Sequence, residues 1–119
     1  MGTKQICFVA LCIVVATVGQ CFAQVTGNKL PEGCQIGLQG VSSNIDDALK
    51  AGFCGGFVHA IVSLGSVLAE PERFCPPNGV DFEQESRVLL KYLNEHPEIT
   101  DQDAVTLSLF AFKAAWPCH

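Results

Sequence analysis

The cysteines constrain this chain more than any other feature. Seven occur in 119 residues, and Cys7, Cys12 and Cys21 fall in an N-terminal segment built for export. Lys4 gives a positive start, Ile6 to Val18 is almost wholly apolar, and Cys21-Phe22-Ala23 makes a small-residue exit before Gln24. That order is the layout of a secretory signal peptide, with cleavage expected after Ala23. The apolar run falls short of the about 20 residues that a transmembrane helix needs. Lipidation at Cys21 is a weaker reading, because Gln20 stands where a small residue is wanted. Residues 1–23 are therefore expected to leave as a signal peptide, and 24–119 to form one domain.

That domain keeps Cys34, Cys54, Cys75 and Cys118. An even set in a small exported chain points to two disulfides rather than free thiols. A domain of this size is marginal on its core alone, and each bridge adds about 2–4 kcal/mol by restricting the unfolded chain. Several pairings are open. An arm folded back on the first long helix would join Cys34 to Cys54. Three helices running up, down and up would leave Cys75 beside Cys118. Cys54–Cys75 with Cys34–Cys118 is the next alternative.

Hydrophobic periodicity reads as all-α: a small disulfide-stapled bundle of about three main helices plus an N-terminal arm. Residues 24 to 42, rich in Gly, Gln and Ser, read as an irregular arm with at most a short helical turn around Cys34. Ser43 is the expected cap of a first long helix reaching Ala69, with Asp46 and Asp47 in its first turn. Leu49, Phe53, Phe57, Ile61, Leu64 and Leu68 form an apolar stripe at spacings of three and four. Gly52, Gly56, Ala60 and Ser63 form a second stripe of small residues, which calls for a neighbour approaching closely. No charge occurs from Ala51 to Ala69. The glycines, serines, His59 and Cys54 in that stretch favour a buried helix over a membrane span.

Asp81 and Gln84 form a variant capping box for a second helix, ended by His96-Pro97. Phe82, Leu89 and Leu93 share one face of it, while Glu83 and Arg87 pair on the solvent side. Thr100 is the expected cap of a third helix, with Asp101 and Asp103 at its positive end. Ala104 to Trp116 is apolar nearly all round, as in a central helix or a subunit interface.

Chemistry-bearing motifs are sparse. The sequence contains no HExxH, no GxSxG and no phosphate-cradling glycine loop. His59 reads as a core or interface histidine and His96 as a helix terminator. A metal set of Cys75, His96, Cys118 and His119 lacks a paired ligand hook and competes with disulfides. No catalytic residue, metal ligand or cofactor is assigned. Twelve acidic against seven basic residues give a net charge of −5, and loss of Lys4 makes the mature domain more negative still. Nucleic acid and anionic membranes are poor partners for such a surface, whereas a basic protein would be steered in.

The second half of the chain resembles the Rap/Tai immunity proteins, small periplasmic antitoxins of type VI secretion systems that neutralise peptidoglycan-cleaving amidases. The resemblance is carried by Cys54-Gly55-Gly56-Phe57-Val58 and by Phe74-Cys75-x-Pro77-x-Gly79-Val80-Asp81-x-x-Gln84. It continues through Tyr92-Leu93-x-x-His96-Pro97-Glu98 and ends in Ala115-Trp116-Pro117-Cys118. Phe57 stands where the family shows tyrosine, and Ala60 where a second glycine is common. The resemblance implies a helical homodimer that occludes the cleft of an amidase. The loop from Asn94 to Asp103, with Glu95, Glu98, Asp101 and Asp103, is the expected contact, by charge complementarity to a basic cleft rim. A general periplasmic binding or chaperone-like protein is the alternative function.

Overall fold

The computed structural model describes residues 24–40 and 44–119. The signal-peptide reading of 1–23 and the capping role expected of Ser43 lie outside these. Among the described residues there are four α-helices: α1 Leu30–Gln39, α2 Ile45–Leu64, α3 Phe82–Glu95 and α4 Ala104–Ala115. Single 3-10 turns, Gly27–Lys29, Gly65–Val67 and Pro97–Ile99, set the corners. The core gathers Leu30, Val58, Phe74, Leu89, Leu107 and Phe112, all essentially inaccessible to water.

The N-terminal arm is the first departure from expectation, because ten of its residues are helical. Pro31 sits in the first turn, where a missing N–H removes no hydrogen bond, and Glu32 faces the positive helix end. The glycines that read as loop material serve a close crossing instead. A Cβ on Gly33 would lie 2.4 Å from the Lys50 carbonyl oxygen of α2. The adjacent Cys34 is bridged to Cys54 with Cα atoms 5.2 Å apart. Glycine's helix penalty of about 1 kcal/mol is thus offset by backbone-to-backbone packing under a covalent clamp. Gly33→Ala should force α1 and α2 apart and destabilise the oxidised protein by about 1–3 kcal/mol. A urea denaturation midpoint equal to wild type would contradict this.

α2 starts on Asn44, whose side chain accepts from the Asp46 amide at 3.0 Å. It stops at Leu64 rather than Ala69, because the Phe74 ring claims the space over Gly65. A Cβ there would meet that ring at 2.4 Å, and the Phe74 amide donates to the Gly65 carbonyl at 3.2 Å.

The rotation of α2 is the larger correction. Its buried residues are Cys54, Val58 and Val62, not the stripe that begins at Leu49. Leu49 is 68% exposed and Phe53 and Leu64 are each 50% exposed, while Phe57, Ile61 and Leu68 are half-buried. The Cys34–Cys54 bridge explains this, since it obliges Cys54, and the residues four and eight further on, to face α1 and the core. Gly52, Gly56, Ala60 and Ser63 are exposed. Among the described residues, no atom outside the adjacent turns of α2 itself comes within 4 Å of a Cβ built on Gly52 or Gly56. Among the described residues the expected close neighbour is absent, and α2 is not a buried helix.

α3 begins as the sequence indicates, with the Asp81 carboxylate accepting from the Gln84 amide at 2.9 Å. Arg87 pairs with Glu83 at 2.6 Å on the solvent side. The helix ends on His96, whose amide still donates to the Tyr92 carbonyl. α4 starts later than expected and is capped by Asp103, which accepts from the Thr106 amide at 2.9 Å. Thr100 instead closes the preceding turn, its hydroxyl donating to the Pro97 carbonyl at 3.2 Å. Pro97–Ile99 forms its own 3-10 turn and uses up the residues that would have opened the helix.

Candidate partner-binding surfaces

Three surfaces stand out: the acidic α3–α4 connection, the outer face of α2, and a groove between α2 and the Cys75–Val80 loop.

The acidic connection is held rigid by the segment that precedes α1. Val25 to Asn28 runs alongside it, with the Ala104 amide donating to Val25 O at 2.8 Å, Gly27 N to Gln102 O at 3.0 Å and Asn28 N to Thr100 O at 2.7 Å. Thr26 and Asp103 form an isolated antiparallel bridge. Of the four acids expected to face a partner, Glu95, Glu98 and Asp101 are exposed and Asp103 is half-buried. Glu95 lies 3.8 Å from Lys91, and Glu98 lies 3.3 Å from His96 Nδ1. Asp103 is engaged as a helix cap and is the least available of the four.

Electrostatics follow the same division. The Thr106 amide, beside Asp103, holds its carboxyl below the usual carboxylate range. The backbone amide of Glu98 itself, helped by His96, holds the Glu98 carboxyl low. A carboxyl depressed in the folded state contributes stability above its ordinary pKa and loses it as pH falls through the folded-state value. Asp103→Asn should therefore flatten the acid limb of the stability–pH curve and leave neutral-pH stability within about 1 kcal/mol of wild type. An acid limb unchanged in the variant would contradict this.

The outer face of α2 presents Ile45, Leu49, Phe53 and Leu64, extended by Val67 in the turn that follows. Phe53 stacks on Phe57 with ring centroids 6.1 Å apart. Lys50, at the edge of the face, is paired with Asp46 and with Glu32 of α1 at 2.9 Å each. These contacts, Asp46 first, hold its ammonium above the ordinary lysine range. Ile45–Val67 is long and apolar enough to cross a membrane by length and composition. In this fold one side of it is packed into the bundle through Cys54, Val58 and Val62.

The remaining motif residues build the scaffold. Trp116 lies flat on Phe112, centroids 5.4 Å apart and planes 3° from parallel. Its carbonyl accepts from the Cys75 amide at 2.8 Å, and Pro117 leads to Cys118, bridged to Cys75. Pro77 and Gly79 shape the loop before α3, and Gly79 takes a φ of 79° that favours glycine. His96 packs on Tyr92 at 4.5 Å, with Pro97 following. Gly56 lies on the outer face of α2, Phe57 is half-buried against the core, and Gln84 supplies the capped amide.

The groove was not anticipated. Glu85, on α3, is fully buried, and its Oε1 lies 3.1 Å from His59 Nδ1 of α2. The available signal was a carboxylate at a position three residues after Phe82 and four before Leu89, on the apolar stripe of an amphipathic helix. Among the described residues no three of His, Cys, Asp or Glu gather as a metal site. Both sulfurs of the alternative metal set are bridged to each other.

Fold and surfaces define a class: a small, acidic, all-helical bundle clamped by two disulfides, with exposed apolar and acidic faces. A family model narrows this further. It matches residues 26–118, and the chain belongs to that family, the Rap1a immunity proteins. The match extends the resemblance N-terminally past Cys54 to take in α1. No curated protein and no solved structure gave a match. The two disulfides are compatible with an exported protein.

Proposed function

We propose that this chain is an exported, periplasmic immunity protein that binds and inhibits a peptidoglycan amidase toxin of a type VI secretion system, and that it acts as a homodimer. The family match over 26–118 carries the reading. Three physical features support the finer assignments. The loop from Asn94 to Asp103 is fixed by the N-terminal segment and offers Glu95, Glu98 and Asp101 to solvent, as a complement to a basic cleft rim. The outer face of α2 is uncharged from Ala51 to Ala69, so a second copy meets it without repulsion across a twofold axis. Gly52 and Gly56 leave room on that face for close helix approach.

A pull-down with oxidised 24–119, using periplasmic and secreted extracts of the source and neighbouring strains, tests the toxin assignment. The expected result is a small amidase retained at nearly one to one, with its lytic activity suppressed. Retention of many unrelated unfolded chains would favour the second reading, a general periplasmic binding or chaperone-like protein. The exposed apolar residues Leu49, Phe53, Val105 and Phe110 are the observation behind that alternative.

A further inference from the structure

Glu85 is a charge in an apolar position. It shares α3's buried side with Leu89 and Leu93, and its side chain is 0% exposed. Taking a carboxylate out of water costs several kcal/mol unless hydrogen bonds and opposite charge compensate. Here the compensation is half complete. With Glu85 ionised, His59 Nδ1 donates to Oε1, while Oε2 has no hydrogen-bond partner among the described residues.

The surroundings make this a site rather than a packing fault. Glu85 lines a groove of about 350 Å³, together with His59 and Ser63 of α2 and Cys75, Asn78 and Gly79 of the following loop. The loop wall is held by the Cys75–Cys118 bridge. The His59 side chain, which meets the fully buried carboxylate, is itself 69% exposed. A mostly solvated ring therefore covers a desolvated carboxyl group, and the ring can swing outward without entering a new environment.

We propose that this groove receives an arginine side chain of the toxin, whose guanidinium displaces His59 and pairs with both oxygens of Glu85. The partner's identity rests on the immunity reading; the ligand chemistry rests on the groove. Two acceptors side by side, one of them unused, match the planar donor fork of arginine, whereas a lysine ammonium is a point charge without that fork. An apolar side chain would leave Oε2 unpaired, and an anion would be repelled. The negative net charge of the chain steers a basic group inward.

The test uses oxidised 24–119 and follows the His59 ring and the Ser63, Asn78 and Gly79 amides by NMR. The titrants are Nα-acetyl-arginine amide and its neutral isostere, Nα-acetyl-citrulline amide. Saturable shifts are expected with the arginine compound alone. Glu85→Gln should weaken its binding at least tenfold, and His59→Ala should strengthen it several-fold by removing the placeholder. An equal response to citrulline, or arginine binding unchanged in Glu85→Gln, would overturn the inference. Should Glu85→Gln not fold, His59→Ala decides: weakened arginine binding overturns the inference and strengthened binding supports it. With an inhibited toxin in hand, Glu85→Gln should raise the inhibition constant at least tenfold. An unchanged constant would overturn the inference while leaving the immunity reading intact.

Discussion

Replacing Cys75 and Cys118 together by alanine should lower the stability of 24–119 by about 4 kcal/mol, the largest effect expected of any change that leaves the core side chains in place. The bridge spans a sequence separation of 43 residues, so its loss returns more freedom to the unfolded chain than loss of Cys34–Cys54, which spans 20. On the same chain-entropy reasoning the second bridge contributes about 3 kcal/mol. Cys75–Cys118 also ties the turn after α2 to the end of α4. It fixes the backbone that carries Trp116, whose ring covers Phe112. Against a total stability of about 5–15 kcal/mol for a domain of ordinary size, such a loss removes a large share of the folding free energy. Urea denaturation of the two double-alanine variants checks the ranking. A larger loss from Cys34–Cys54, or a loss below about 1 kcal/mol from Cys75–Cys118, would contradict it.

Phe53→Glu should dissociate the homodimer proposed above while leaving the monomer folded. Phe53 is half-exposed within the chain, so its replacement removes little from the core. At a twofold interface the substitution acts twice and sets two like charges near one another on a stretch that carries no charge from Ala51 to Ala69. Loss of a central aromatic anchor alone is worth about 2 kcal/mol or more, and the added charges take the dimer dissociation constant up by at least about a hundredfold. Sedimentation equilibrium reads the association state, and the melting temperature of dilute protein reads the fold. A variant that remains dimeric would move the self-association surface off α2. A variant that unfolds would show that Phe53 belongs to the core after all.

How much was legible in advance depended on whether a residue's role was local. Asp81 and Gln84 fix the start of α3 through a hydrogen bond within one turn, and His96-Pro97 ends it by steric restriction of the preceding residue. Both are readable from spacing alone. The α1 helix was hidden, because Gly33 and Gly37 read locally as breakers. They are tolerated only because the Lys50 carbonyl and the Phe82 ring press against them. The face of α2 was misassigned for a related reason. Apolar spacing identifies a stripe, yet Cys54 sets the rotation through a partner twenty positions upstream. The Thr100 cap was displaced to Asp103 by a turn that Pro97 begins.

The candidate sites divide in the same way. The acids of the α3–α4 connection were visible as charge in a loop, and their cost to structure was visible only for Asp103, which faces the Thr106 amide. Glu85 was passed over because an acid near a helix start usually serves the helix dipole. Its burial depends on α2 lying across it, which no local pattern states.

The central claim is stoichiometric inhibition of a cell-wall amidase, and one titration tests it most directly. Oxidised 24–119 is added in steps to the amidase recovered by pull-down, and hydrolysis of purified peptidoglycan is followed at low salt. The account predicts a linear fall in activity to a sharp end point near one chain per amidase, with no effect from the reduced, unfolded chain. Hydrolysis undiminished at several-fold excess of the oxidised protein would contradict it.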